Sequence, residues 1–380
     1  MKWVALRMLT GDRVKFFGLV FGVTFATFLM SQQVSVFVGI VRRSASQIVD
    51  VRDASIWVMD PRVRHFDEAP GLPHGALQRV RGVEGVRWAV PFYKGQVLAR
   101  IESGLPRNVI LEAVDDASLV AAPQELIAGD LADLRRPHAV IVDKAGYEYL
   151  WPGQPLSLWR EFEINDRRAV LVGVCKASPP FVTLPVMYTR FNEALPYVPT
   201  KRNLMNYVLA DTVPGESSTA VAERITRQTG LLAVTQNRFF WNTINYMLGS
   251  TGIPVNFGIT IALGFIVGVA VAGQTFYLFT LENLKHFGSL KAMGVNNRRL
   301  VAMILLQAMS VGGIGFALGT GLTALFFERT NQITHLAGLF MPWQAVAGVG
   351  LAVLAIIALA SLLSMRRVLV LEPAVVFRGA

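Results

Sequence analysis

Leu281-Glu282-Asn283-Leu284-Lys285-His286-Phe287-Gly288-Ser289-Leu290-Lys291-Ala292-Met293-Gly294-Val295-Asn296-Asn297-Arg298-Arg299-Leu300 joins two long apolar runs. Leu281, Leu284, Phe287, Leu290 and Met293 recur at helical spacing, and Lys285 and Lys291 fall away from that stripe. Gly294 suits the position just past a helix end, where φ is often positive. Asn296 or Asn297 suits the cap of the helix that follows. The stretch predicts a short amphipathic helix pinned between two membrane spans. A protein pressing on such a helix from below would drag both spans with it.

Working outward, four apolar runs reach the roughly 20 residues that a hydrocarbon core requires. They cover about 16–38, 257–279, 300–326 and 343–365. The first follows a basic start, but it is longer than the apolar core of a signal peptide. Arg42 and Arg43 follow it in place of a small-residue cleavage site, so it reads as an uncleaved anchor. The composition agrees: of 380 residues 53% are hydrophobic and only 16% charged, against about 25% charged in soluble domains.

The formal net charge is +10. A basic balance can mean nucleic-acid binding, but here the basic residues gather at membrane boundaries, so no nucleic-acid partner is expected. Lys2, Arg7, Arg13 and Lys15 precede the first run, Lys285, Lys291, Arg298 and Arg299 lie between the second and third, and Arg366, Arg367 and Arg378 follow the fourth. The positive-inside rule then puts both termini and the 282–299 loop in the cytoplasm, and the long 42–254 segment outside. Arg42 and Arg43 lie on the opposite side, which long translocated domains tolerate.

The expected fold is four transmembrane α-helices plus an extracytoplasmic α+β domain inserted between the first and second. The divisions are 1–15, an amphipathic N-terminal helix in the cytoplasmic interface with Trp3 inward; 16–41, the first span; 42–254, the outer domain; 255–281, the second span; 282–299, the amphipathic loop helix; 300–327, the third span; 328–342, a short outer loop; 343–365, the fourth span; and 366–380, a cytoplasmic tail. In the outer domain, strand-like runs fall at 55–59, 85–91, 96–101, 108–114, 138–142, 156–158, 168–174 and 206–210. Helices are expected at 75–80, 143–150 and 217–229, with a connector helix over 235–247 and a break at Gly249–Gly252. Pro179, Pro180, Pro185, Pro196 and Pro199 mark a loop-rich stretch.

Catalytic chemistry is hard to find in this chain. There is no Gly-x-x-x-x-Gly-Lys-Ser/Thr loop and no Gly-x-Ser-x-Gly elbow. His65, His74, His138, His286 and His335 are scattered, and the single Cys175 permits neither an intrachain disulfide nor a cysteine zinc site. The carboxylate pairs Asp115/Asp116 and Asp130/Asp133 suit turns and caps. The spans offer Gln32, Gln33, Gln274 and Gln307 but no charge at mid-depth, as an ion-coupled path would require. Gly18/Gly22, Gly264/Gly268 and Gly315/Gly319 stand at Gly-x-x-x-Gly spacing, which lets helices approach closely.

The Phe287–Gly294 run resembles the cytoplasmic loop of FtsX/MacB-type ABC transporter permeases, the type VII mechanotransmission class, which reads E-x-G-x-L-K-A-x-G. Leu284-Lys285-His286-Phe287 is most similar to the DevC-like branch, and the loop lacks the Arg-rich start common in MacB proteins. Val370-Leu371-Glu372-Pro373-Ala374 resembles the family's terminal x-x-P-A pattern, and 140–143, 153–158 and 170–174 resemble strands of the MacB-like periplasmic domain. The resemblance implies a permease without its own nucleotide site, not itself an enzyme, in the bacterial inner membrane. It implies an ABC ATPase partner that binds ATP and magnesium, no cofactor in this chain, and a homodimer or a heterodimer with a similar permease. A membrane-fusion adaptor, an outer-membrane channel and membrane lipids complete the expected partners. Glu282, Leu284, Lys285, Phe287, Gly288, Leu290, Lys291, Met293 and Gly294 are the expected ATPase-coupling residues. The expected activity is export of a lipid, glycolipid, lipoprotein, peptide or drug; the alternative is an FtsX-like signalling subunit that activates an envelope hydrolase without moving cargo.

Overall fold

A computed structural model describes residues 2–68, 70–101, 104–198, 205–331 and 339–370. The chain begins with α1 (Lys2–Gly11), α2 (Arg13–Arg43) and α3 (Ser46–Asp50), then β1 (Ile56–Met59), α4 (Gly75–Arg81), β2 (Val86–Arg100) and β3 (Pro106–Val114). It continues through β4 (Leu126–Gly129), β5 (Ala139–Asp143), α5 (Lys144–Leu150), β6 (Glu161–Ile164), β7 (Arg167–Cys175), β8 (Val186–Arg190) and α6 (Phe191–Ala194). It closes with β9 (Tyr207–Thr212), α7 (Ser218–Thr229), β10 (Leu232–Thr235), α8 (Gln236–Ser250), α9 (Ile253–Glu282), α10 (Leu284–Ala292), α11 (Asn297–Asn331) and α12 (Trp343–Val370). Two compact units result. Of the described residues, one holds those within 1–38, 252–331 and 339–370, and the other those within 39–251.

In the helical unit, four helices among the described residues are long and apolar enough to cross a membrane: α2, α9, α11 and α12. α2 runs from Arg13 to Arg43, beyond the apolar run at both ends. Polar ends can continue a helix at no cost in hydrogen bonds, and Asp12 Oδ1 accepts from the Lys15 N–H at 3.2 Å to start it. The expected 1–15 helix therefore stops at Gly11. Its Ala5 and Leu9 are buried, and the Gln307 amide of α11 donates to the Ala5 carbonyl at 2.8 Å. Trp3 is 68% exposed, with the Arg7 guanidinium 4.9 Å from its ring centre. The tail from 371 to 380 and the loop residues 332–338 lie outside the described residues, as does the 371–374 part of the terminal pattern.

The other unit is built on a ten-stranded sheet in the order β10-β1-β9-β2-β3-β8-β5-β7-β4, with β6 pairing β2 and β7. The 15-residue β2 is the shared member: its first half pairs β9 and its second half pairs β3 and β6. The two strands expected at 85–91 and 96–101 are thus one. Most pairs are antiparallel, but β3/β8 and β5/β7 are parallel. Val109, Leu111 and Ala113 of β3 join a core with Ala76 and Val80 of α4, Leu150 of α5 and Ile225 of α7. Elsewhere Trp57 meets Tyr207 at 5.3 Å and Phe239 of α8 at 5.5 Å between ring centres, which ties the connector helix to the sheet.

Local chemistry sets the boundaries. Asp143 caps α5 by accepting the Gly146 N–H at 2.9 Å, and also takes the Val186 N–H at 3.0 Å. Gly230, at φ 70°, ends α7 in the left-handed region. No strand forms at 156–158. There the Tyr147 hydroxyl donates to the Pro155 carbonyl at 2.7 Å and accepts the Ser157 N–H at 3.0 Å, so a side chain replaces a neighbouring strand. β4, β6, β8 and β10 were not foreseen. β8 hides behind Pro185 in the stretch read as loop.

One buried group in this unit has no ordinary structural explanation. Glu112 of β3 is 3% exposed, and its Oε1 has no hydrogen-bond partner among the described residues. It lies opposite Lys94 of β2 and Tyr188 of β8 in the sheet. Lys94 is itself bonded to Asp67 and sits 3.8 Å from the centre of the Phe66 ring. Burial pushes the Glu112 carboxyl up to about 8; Lys94 draws it down, and Asp50, Asp67 and Asp143 push it further up.

Candidate functional site

α10 sits between α9 and α11 and ends in a reciprocal backbone cap. The Gly294 N–H donates to the Lys291 carbonyl at 3.0 Å and the Val295 N–H to the Leu290 carbonyl at 3.1 Å, with Gly294 at φ 87°. This pairing is the two-bond Schellman arrangement, which a side chain at Gly294 would strain. Asn296 Oδ1 then accepts the Arg298 N–H at 3.3 Å at the head of α11.

The predicted coupling residues divide by burial. Phe287 is fully buried in the core of the helical unit, in one cluster with Leu300, Met303 and Ile304, and Gly288 is buried beside it. Leu284 and Leu290 are half-buried against the same cluster. Lys291 donates from Nζ to the Leu369 carbonyl of α12 at 3.1 Å, so α10 is fastened to a second span. Lys285 is exposed. Met293 does not follow the apolar stripe inward: it lies one residue past the end of α10 and is 72% exposed. The cap turns the chain before its side chain can reach the core.

Glu282, the last residue of α9, pairs with Lys15, which also bonds Asp12 at 2.7 Å. This Asp12–Lys15–Glu282 cluster was missed in the sequence, as was the Gln307 link from α11 to α1. The Asp12-x-x-Lys15 spacing was the only local signal, and nothing local pointed to Glu282.

Of the glycine pairs, Gly22, Gly264, Gly268, Gly315 and Gly319 face neighbouring helices closely. A Cβ on Gly268 would stand 2.8 Å from Ala26 and Ile356, and one on Gly315 2.7 Å from Val23. Gly18 differs, with nothing within 4 Å of that position. Opposite Gly315 and Gly319 lie Thr24 and Thr27 of α2, the start of a row of buried hydroxyls that continues at helical spacing through Ser31 and Ser35. Thr27, Thr280, Thr323 and Ser361 donate to carbonyls four residues back in their own helices.

No group of three His, Cys, Asp or Glu able to hold a metal occurs among the described residues. Cys175 is buried, and its thiol is pushed well up by burial, so it is a poor nucleophile.

Residues 258–373 match the family model described as FtsX-like permease C-terminal. The chain carries an FtsX-like permease domain. Most of α9 and all of α10, α11 and α12 fall within that FtsX-like region. Two curated proteins of Mycobacterium tuberculosis, both called uncharacterized ABC transporter permeases, are similar to it. One (strain ATCC 25618 / H37Rv) is 34% identical over 118 residues, 30% of this chain and 32% of the relative. The other, from the same strain, is 29% identical over 137 residues, 36% of this chain and 38% of the relative. The similarity thus spans about a third of those relatives' length. Among solved structures, the periplasmic region of MacB from Actinobacillus actinomycetemcomitans covers 54% of this chain and 96% of its own, at 13% identity and TM-score 0.39. The extracellular domain of the noncanonic ABC-type transporter YknZ from Gram-positive bacteria covers 48% and 98%, at 16% identity and TM-score 0.36.

Proposed function

We propose that this chain is the permease subunit of an ATP-binding cassette exporter of the FtsX/MacB type. A separate ATPase hydrolyses ATP and presses on α10. The spans shift, and the 39–251 unit, joined in the chain to α2 at one end and to α9 at the other, changes its arrangement outside the membrane. The cargo is a lipid, glycolipid, lipoprotein, peptide or drug. An adaptor of the membrane-fusion type and an outer-membrane channel receive it, and two permeases work as a dimer. The DevC-like placement rests on Leu284–Phe287 alone.

The construction of α10 supports this reading. Phe287 anchors the helix in the span core while Lys285 and Met293 stay exposed for a partner. Lys291 couples its motion to α12. The buried hydroxyls that bond their own helices favour packing over a polar conduit. Lys285→Glu combined with Met293→Asp should cut permease-stimulated ATPase activity about tenfold or more, at unchanged expression and dimerisation. Full stimulation by that variant would remove α10 from the coupling path.

The topology has its own test. Asp166→Cys should be labelled by an impermeant thiol reagent in intact cells, and Asn296→Cys should not. The native thiol contributes little background because Cys175 is buried. Outside labelling of the 296 variant would invert the assigned orientation.

A further inference from the structure

We infer that the cleft between α1 and the α9–α10 junction binds the headgroup of a phospholipid carrying both a phosphate and a primary ammonium, a phosphatidylethanolamine. The cleft measures about 480 Å³, and Trp3, Arg7, Met8, Asp12, Glu282 and His286 are among its walls. Asp12 immediately precedes α2 and Glu282 ends α9. The opening therefore lies where two spans stop, at headgroup depth. Trp3, exposed and stacked with Arg7, is the residue type that settles at this level.

The charges in the cleft are unbalanced in a way that selects the ligand. Arg7 has no carboxylate partner among the described residues, although two carboxylates line the same cleft. Both are engaged by Lys15, and one lysine offsets only one of them. A surplus cation stands on the α1 side and a surplus anion at the junction. A phosphate fits Arg7, with the His286 ring as a further donor, since guanidinium recognises phosphate by paired donors. An ammonium with its N–H groups fits Asp12 and Glu282. Phosphatidylglycerol supplies only the first of these, and phosphatidylcholine has an ammonium without N–H donors. An acidic or basic protein segment would satisfy one pole and leave the other buried against like charge.

The test uses the full-length protein in detergent, titrated with short-chain phosphatidylethanolamine, phosphatidylglycerol, phosphatidylcholine and inorganic phosphate, with bound lipid read by native mass spectrometry. Phosphatidylethanolamine should bind about tenfold tighter than the other two lipids, the worth of one charge-assisted contact, and phosphate should compete poorly. Arg7→Gln should weaken all three lipids about tenfold, while Arg7→Lys keeps most of the binding. Glu282→Gln should bring phosphatidylethanolamine down to the level of phosphatidylglycerol; this ratio is measured within one protein and so is independent of how well Arg7→Gln folds. Equal affinities for the three lipids, unmoved by either variant, would mean ordinary annular lipid and overturn the assignment. Competition by phosphate as strong as by the lipid would reduce the cleft to an anion site. Unchanged lipid retention with loss of a copurifying ATPase would make it a protein contact instead.

Discussion

Glu112→Gln should stabilise the protein at about pH 8 and leave it nearly unchanged at about pH 5. The carboxyl is buried, so its folded pKa is raised from 4.5 to about 8. The folded state then holds a proton that the unfolded chain gives up. A raised carboxylate pKa costs stability progressively as pH climbs from the unfolded value towards the folded one. At neutral pH the cost is roughly 3 kcal/mol, from about 1.4 kcal/mol per pKa unit. Glutamine keeps the shape and stays neutral, so it removes that cost. Thermal unfolding at the two pH values measures the difference, which should reach several degrees at the higher one. The charged groups bearing on Glu112 are Lys94, Asp50, Asp67 and Asp143. Equal destabilisation by Glu112→Gln at both pH values would mean that the carboxylate is ionised against Lys94 throughout.

Gly319→Ala and Gly18→Ala should move stability in opposite directions. A methyl on Gly319 would stand 2.5 Å from the Thr27 Cβ and 2.8 Å from the Thr24 carbonyl oxygen. A backbone oxygen cannot rotate aside, so α2 and α11 must part. Overpacking of this kind costs about 1–3 kcal/mol. At Gly18 the methyl meets nothing within 4 Å, and alanine gains up to about 1 kcal/mol in helix propensity. Detergent-resistant melting of the two variants is the measurement, and matching shifts would contradict the α2–α11 contact.

The pair also shows how far sequence reading carries. Spacing alone found all three glycine motifs, because small residues recur where helices meet. It had no means of knowing that Gly18 sits off the contact face, since that depends on which neighbour α2 selects. The spans were legible from hydrophobic length. Of the helices of the outer unit, α4, α5, α7 and α8 were legible in the sequence, whereas the short α3 and α6 were not. Short strands were not. β4 and β10 have four residues each, too few for alternation to register, and β8 follows a proline. In the loop, Phe287 of the apolar stripe is buried and Leu290 half-buried, whereas Met293 is exposed because the cap overrides periodicity. The Asp12–Lys15–Glu282 cluster joins residues far apart in the chain, and single-sequence patterns carry no information about such meetings.

β1 is paired on one side with β9 and on the other with β10, strands that leave the ribosome last among those of the outer unit. The strand is made early and stays without a partner until the chain has been synthesised past Thr212, and without its second until past Thr235. By then α2 is already a finished anchor and the intervening residues have been threaded across the bilayer. Joining ends so far apart is slow, because loop closure must precede any gain from pairing. Trp57 and Val58, fully buried in the finished sheet, pass through secretion uncovered. The order of its strands therefore leaves β1 uncovered for an interval during synthesis.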